Sequence, residues 1–373
     1  MRNEMNNETT KMATSTMRRL TQLGAAALIT LACASSLAKD GNGGHYVQAN
    51  LVSDQPGVAR LQDTNLVNAW GISFSATSPF WISDNGTGKA TLYAVTNDAS
   101  GTVHVDKQGL TVKIPGAGNP TGQLFDGAGH FNGDIFIFAS EDGTISGWRG
   151  ALGTTAEILA TRTNAVYKGI ALATNATSPV LLAANFAEGT IDVYSTNLVL
   201  AGQFPDLSRP AGYAPFNVQN IGGIVFVTFA KQDAAKHDDV AGPGNGFIDT
   251  FDPATLVFRR FASGSDAGGN IHEFNSPWGL AVSPANFGKY SDALLVGNFG
   301  SGTIMAFDSN GKLQGLLKGH HQGELVIEGL WGLAFGNGGR AGNTGTLYFT
   351  AGPGDESHGL FGSLAPAPDD NDD

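Results

Sequence analysis

Cysteine is almost missing: one residue in 373, Cys33. A chain that has lost Cys33 with a leader has no disulfide and no thiolate metal site. Charge is also sparse, at 14 % of residues, and the basic share is the smaller one. Lys and Arg number 21 against 33 Asp and Glu, a net charge of −12 and an isoelectric point near 5.0. Nucleic-acid binding rests on cations that neutralise phosphates, so no nucleic-acid partner is expected. The acidity favours solubility and names no partner. Long apolar runs are lacking too. Residues 23–31 are apolar and Ala-rich but too short to span a bilayer, and nothing else comes near. There is no GxSxG elbow, no phosphate loop and no HExxH pair.

The apolar run at 23–31 has a different meaning. Met17-Arg18-Arg19-Leu20 is a short basic start, and Ser36-Leu37-Ala38 offers the small residues of a cleavage site. This grammar reads residues 1–38 as a secretory signal, with Met17 as an alternative first residue. A periplasmic or extracellular protein follows. Thr30-Leu31-Ala32-Cys33 resembles a lipoprotein acceptor with Thr where Leu is usual, so lipid anchoring through Cys33 is the minor alternative. Residues 39–45 read as a flexible spacer. Residues 365–373, APAPDDNDD, read as a disordered acidic tail.

Glycine is what the chain has in abundance, 52 residues without the collagen period. Short apolar runs separated by Gly, Asn, Asp and Ser point to an all-β protein. Residues 276–309 hold the clearest unit: three short strands, with a Gly-Ser-Gly turn between the second and third. Copies open at Trp70-Gly71, Lys168-Gly169 and Trp331-Gly332. From Gly71 to Gly169, to Gly279, to Gly332 the steps are 98, 110 and 53 residues. The last step is one period and the others two. Weaker copies fill both gaps, one opening at 123–129 and one at 216–219. Six repeats of about 50 residues predict a six-bladed β-propeller of four-stranded antiparallel blades. Each repeat but the last ends in a further apolar run, its fourth strand. The lone strand at 46–53 fits the vacancy in the last blade and would close the ring, hiding sheet edges. A single domain over 46–364, monomeric, is expected.

Trp-Gly-(Ile/Leu) opening a blade and Asn-Phe-x-x-Gly-Thr-Ile-x-x-(Phe/Tyr) at 185–194 and 298–307 resemble the NHL-type six-bladed propellers. The segments YVQANLVSD, LVNAWGIS and AKQDAAKHDDVAGPGNGFIDTFD are similar to those of a family of exported bacterial propellers. That resemblance covers 46–364. Many of its members carry a C-terminal Pro-Glu-Pro sorting tag; this sequence ends at Asp373 without one, so anchoring by that route is not implied.

In such a ring the loops entering the innermost strands open on one face, as do the loops between second and third strands. That face should collect Asn68, Asp126, Lys168, Asn217, Asn275 and Glu328, and the insertion at 231–245. Trp70, Trp278 and Trp331 occupy equivalent positions in blades I, V and VI, neighbours once the ring closes. They read either as a wall that stacks a sugar or flat ligand or as packing between blades with each N–H on a carbonyl. The insertion carries Asp233, His237, Asp238 and Asp239. It reads as a solvated polar flap or as an oxygen-rich loop for a divalent cation such as Ca²⁺, without EF-hand spacing. His272-Glu273 and His320-His321 fall in loops on the same face and read as solvated.

Three functions are compatible with these features. One is an exported scaffold that binds a ligand, glycan or protein on this face, with no catalytic residues. Another, by analogy with gluconolactonase-like propellers, is a metal-dependent hydrolase. Those enzymes put acidic and Asn ligands just before the blade-entry glycine, where this chain has Trp70, Lys168, Trp278 and Trp331. Only Asp126 before Gly127 matches, with Asn217 and Glu328 near, so these three are the metal candidates. The third is a structural surface or matrix protein. Fold alone does not choose among them.

Overall fold

The computed structural model describes residues 45–98, 102–263, 274–320 and 323–367. The signal reading at 1–38, most of the spacer, His272, Glu273, His321 and residues 368–373 lie outside them.

Six four-stranded antiparallel blades form a propeller. Blade I covers residues 69–113, blade II 120–161, blade III 167–204, blade IV 213–263 and blade V 277–316. Blade VI is assembled from both ends of the chain: Leu330–Phe335, Leu347–Ala351 and Leu360–Pro366, then His45–Ser53 as its outermost strand. The pairing runs from Tyr46 opposite Pro366 to Ser53 opposite Leu360. The last strand continues past 364, because Ala365 and Pro366 pair with Val47 and Tyr46, and the Ala367 N–H donates to the His45 carbonyl at 3.0 Å. A disordered tail starting at 365 is therefore corrected: its first residues are zipped to the closing strand. Two short parallel pieces, Leu61–Gln62 and Lys318–Gly319, cover the outer edge of that strand. Among the described residues the helical pieces are three single 3₁₀ turns.

The core explains why the strand runs are so apolar. Second strands such as Phe80–Asp84 and Phe136–Ser140 are buried along their whole length, because each blade is covered on both faces by its neighbours. Six hydrophobic clusters fill the six gaps between blades. A seventh lies on the axis.

Every innermost strand breaks register once, near its start: Ala69/Ile72, Pro120/Gln123, Tyr167/Gly169, Pro215/Asn217, Pro277/Gly279 and Leu330/Leu333. At five of these bulges stands a glycine packed on the next innermost strand around the ring. A Cβ on Gly122 would come within 2.8 Å of the Gly169 Cα, and one on Gly279 would overlap the Trp331 carbonyl oxygen. Close approach, rather than a turn, is what these glycines serve. In blade IV Asn217 takes the glycine's place, and its amide donates to the Trp278 carbonyl of blade V at 2.8 Å.

This register corrects the reading of blade II. The strand expected over 123–129 is Pro120–Phe125, and its packing glycine is Gly122 rather than Gly127. Asp126 thus follows the strand and does not precede it. Blade IV likewise opens earlier than 216, at Tyr213.

Candidate functional site

The residue before each packing glycine, or before Asn217, sits on the bulge. Around the ring these are Trp70, Thr121, Lys168, Phe216, Trp278 and Trp331. Four of the six are large aromatics, and the axial cluster unites them with Phe186, Phe299, Ala214 and Ala230. Trp70 stacks on Trp331 with centroids 3.7 Å apart, and Phe299 stacks on Trp331 at 3.9 Å. Trp278 meets both tryptophans edge-on, at 6.2 and 5.9 Å. Contacts of this kind add about 0.5–1.5 kcal/mol each beyond burial. The Trp278 indole donates to the Lys168 carbonyl at 3.0 Å and the Trp331 indole to Asn68 Oδ1 at 2.9 Å. The Trp70 N–H has no hydrogen-bond partner among the described residues.

The three indoles are contiguous but closed to solvent, with relative exposures of 1 % for Trp70, 4 % for Trp278 and 1 % for Trp331. They plug the channel at the entry face. Of the two readings of these tryptophans the geometry fits packing, with the Trp278 N–H on a carbonyl, and not a wall open to a ligand: the rings spend their faces on one another.

Polar groups cover the plug. Lys168, only 2 % exposed, lies over the Trp70 ring at 5.2 Å. Its ammonium binds Glu141 of blade II and Asp238 of the insertion, the latter at 3.1 Å. Asn85 Nδ2 donates to the other Glu141 oxygen at 3.0 Å. Asn68 Nδ2 donates to Glu356 at 2.8 Å and to Asn85 Oδ1 at 3.2 Å. His237 Nδ1 lies 2.9 Å from Asp238. Burial pulls the Lys168 pKa down, but Glu141 and Asp238 outweigh it and the net direction is up. Lys168 is thus held as a cation between two carboxylates. Burial pushes Asp239 up and Glu356 up to about 7, from the usual 4.5 for the latter. For Asp238 burial acts upward too, yet the Lys168 charge prevails and holds it low.

The insertion is a folded loop. Asp233 accepts from the His237 and Asp238 backbone N–H groups at 2.9 and 3.3 Å. Asn275 Oδ1 accepts from the Gly242 N–H at 2.6 Å and ties its far end to blade V. Asp238 ties its tip to the axis.

Glu141, His237 and Asp238 offer ligand atoms within 4.8 Å of one another. Two of the three already hold the Lys168 ammonium, which stands where a cation would. The expected metal set of Asp126, Asn217 and Glu328 does not converge. Asp126 lies past the C-terminal end of its strand, toward the other face, and accepts from the Ala128 and His130 N–H groups at 3.2 and 2.6 Å. Asn217 is fixed in the channel wall. Glu328 is exposed on the entry side and accepts from the Gly354 N–H at 3.0 Å. These residues do not fit a shared divalent ion.

Sequence reasoning missed Glu141, Glu356 and Asn85. All three stand in loops between second and third strands, which share the entry face. A search of those loops for carboxylates would have found them.

No family model matches the chain. Among curated proteins it is similar to two uncharacterised proteins of Acanthamoeba polyphaga mimivirus. One is 28 % identical over 335 residues, 84 % of this chain and 84 % of the relative. The other is 29 % identical over 334 residues, 84 % of this chain and 78 % of the relative. These relatives are viral, so the exported bacterial family does not rest on them. Solved structures of similar shape include a virginiamycin B lyase from Staphylococcus aureus, at 11 % identity and TM-score 0.44, with 86 % of this chain and 99 % of that one covered. A gluconolactonase from Xanthomonas campestris follows at 14 % and 0.48, with 81 % and 87 % covered. At such identities the likeness is one of fold and carries no chemistry. No helix among the described residues is long and apolar enough to cross a membrane.

Proposed function

We propose that the protein is an exported propeller that recognises a ligand, glycan or protein through the entry face and its 231–245 insertion, without catalysing a reaction there. One observation carries this reading: the buried Lys168 ammonium between Glu141 and Asp238. It neutralises the two carboxylates that would otherwise serve as base or metal ligand. It also pins the insertion, and a pre-ordered loop loses less entropy when a partner binds.

The competing reading, a metal-dependent lactonase-like hydrolase, needs several oxygen ligands around one ion. Here a lysine holds that position. Calorimetry on metal-stripped protein with Ca²⁺, Mg²⁺ and Zn²⁺, beside a hydrolysis assay on aldonolactones, separates the two. The expected outcome is no stoichiometric heat and no turnover. Turnover that vanishes in Glu141→Gln would replace the binding reading with the enzyme one. An oligosaccharide array probed with the protein, and with a form whose residues 233–239 are replaced by Gly-Ser-Gly, tests recognition directly. Signals equal in both forms would remove the insertion from the interface.

A further inference from the structure

On the far side of the tryptophan plug the channel widens into a well of about 680 Å³, bounded by all six innermost strands. Its depth is set by Asn217, Trp278 and Gly332, and its mouth lies at the C-terminal ends of those strands, opposite the entry face. A volume of this size suits a small-molecule site. Half-buried Phe74, Phe125 and Phe335, from blades I, II and VI, stand at the mouth.

The lining has a chemical signature. None of its 24 residues carries an ionisable side chain. An ionised ligand would give up hydration there and gain no counter-charge. The side-chain amides are mostly committed to the protein. Gln123 Nε2 donates to the carbonyls of Gly71 and Trp81 at 2.8 and 2.9 Å, Asn217 to Trp278 at 2.8 Å, and Asn220 to Leu172 at 2.9 Å. Gln219, in the same wall, has no such partner among the described residues, and its amide is left over.

We propose that this well is a second site, for an uncharged organic molecule with an apolar body and one hydroxyl or carbonyl group that Gln219 meets. The inference does not rest on the entry-face reading, since the plug separates the two.

A matched set of eight-carbon probes tests it by calorimetry at pH 7: 1-octanol, octanoate and octylammonium, with 1-hexanol as the shorter control. Octanol is expected to bind with one site, at least roughly tenfold more tightly than either ion. Hexanol, two methylenes shorter, should bind roughly tenfold more weakly than octanol. Gln219→Leu should weaken octanol by roughly two- to tenfold. Ala334→Trp, which fills the well, should abolish binding, while Gly109→Ala on the outermost strand of blade I should leave it unchanged. Equal binding of the three charge types would overturn the proposal. So would no octanol binding to natively folded protein, or octanol binding that survives Ala334→Trp in a folded variant. If that variant does not fold, the charge series and Gln219→Leu decide.

Discussion

At the scale of single residues, the bulge glycines and Glu356 make opposite demands on their surroundings. Gly279 has no room for a Cβ, because the Trp331 carbonyl is there and Trp331 is itself clamped between Trp70 and Phe299. Gly279→Ala should therefore cost about 2 kcal/mol or more, seen as a fall of several degrees in Tm. Gly109, with open space around its Cα, is the control; Gly109→Ala should be neutral within about 0.5 kcal/mol. Glu356 is held where burial raises its pKa from 4.5 to about 7. A carboxyl whose folded pKa is raised favours the folded state below the unfolded value, and that contribution is lost as pH climbs to the folded one. Glu356→Gln removes the charge but keeps an oxygen for Asn68. Its Tm should match the parent near pH 4.5 and exceed it by a few degrees at pH 8, about 1 kcal/mol after allowing for partial solvation. A melting series from pH 4.5 to 8 checks this. An offset that stays constant with pH would mean that Glu356 is not the titrating group.

At the scale of elements, the closing strand and the insertion differ in what they carry. His45–Ser53 supplies Tyr46, Leu51 and Val52 to two inter-blade clusters and covers the edge of Leu360–Pro366. Removing residues 45–53 should expose that edge and those clusters, giving aggregation or loss of cooperative melting instead of a small Tm shift. The insertion is held by polar ties at its tip and its far end and contributes to none of the seven hydrophobic clusters. The Gly-Ser-Gly replacement of 233–239 should keep the fold, lowering stability by about 1–2 kcal/mol as Lys168 loses one of its two partners.

At the scale of the whole molecule, the ring is closed by hydrogen bonds and packing between distant chain segments, with no covalent link across blade VI. A circular permutant that begins at residue 63 and carries 45–62 after 367 through a short linker should fold to the same propeller, because His45 and Ala367 already touch. Its β-sheet signature and Tm should stay near those of the parent. Failure of this permutant with an adequate linker would show that folding depends on having that strand first in the chain.

Blade number, strand order and ring closure were legible in the sequence because they follow from local apolar runs, turns and a period, all written along the chain. The blade II register was not, because two glycines, Gly122 and Gly127, compete there, and only the close approach of blade III to Gly122 chooses between them. The tryptophans were legible as equivalents, though not as a plug, since their burial depends on Phe186, Phe216 and Phe299 arriving from other loops and blades. Only ring closure brings Glu141, Lys168, Asp238 and Glu356 over one axis and leaves an uncharged well on the other side of it. The chain's pattern dictates the blades; the meeting of side chains at the centre is a property of the circle, because no blade holds more than a part of it.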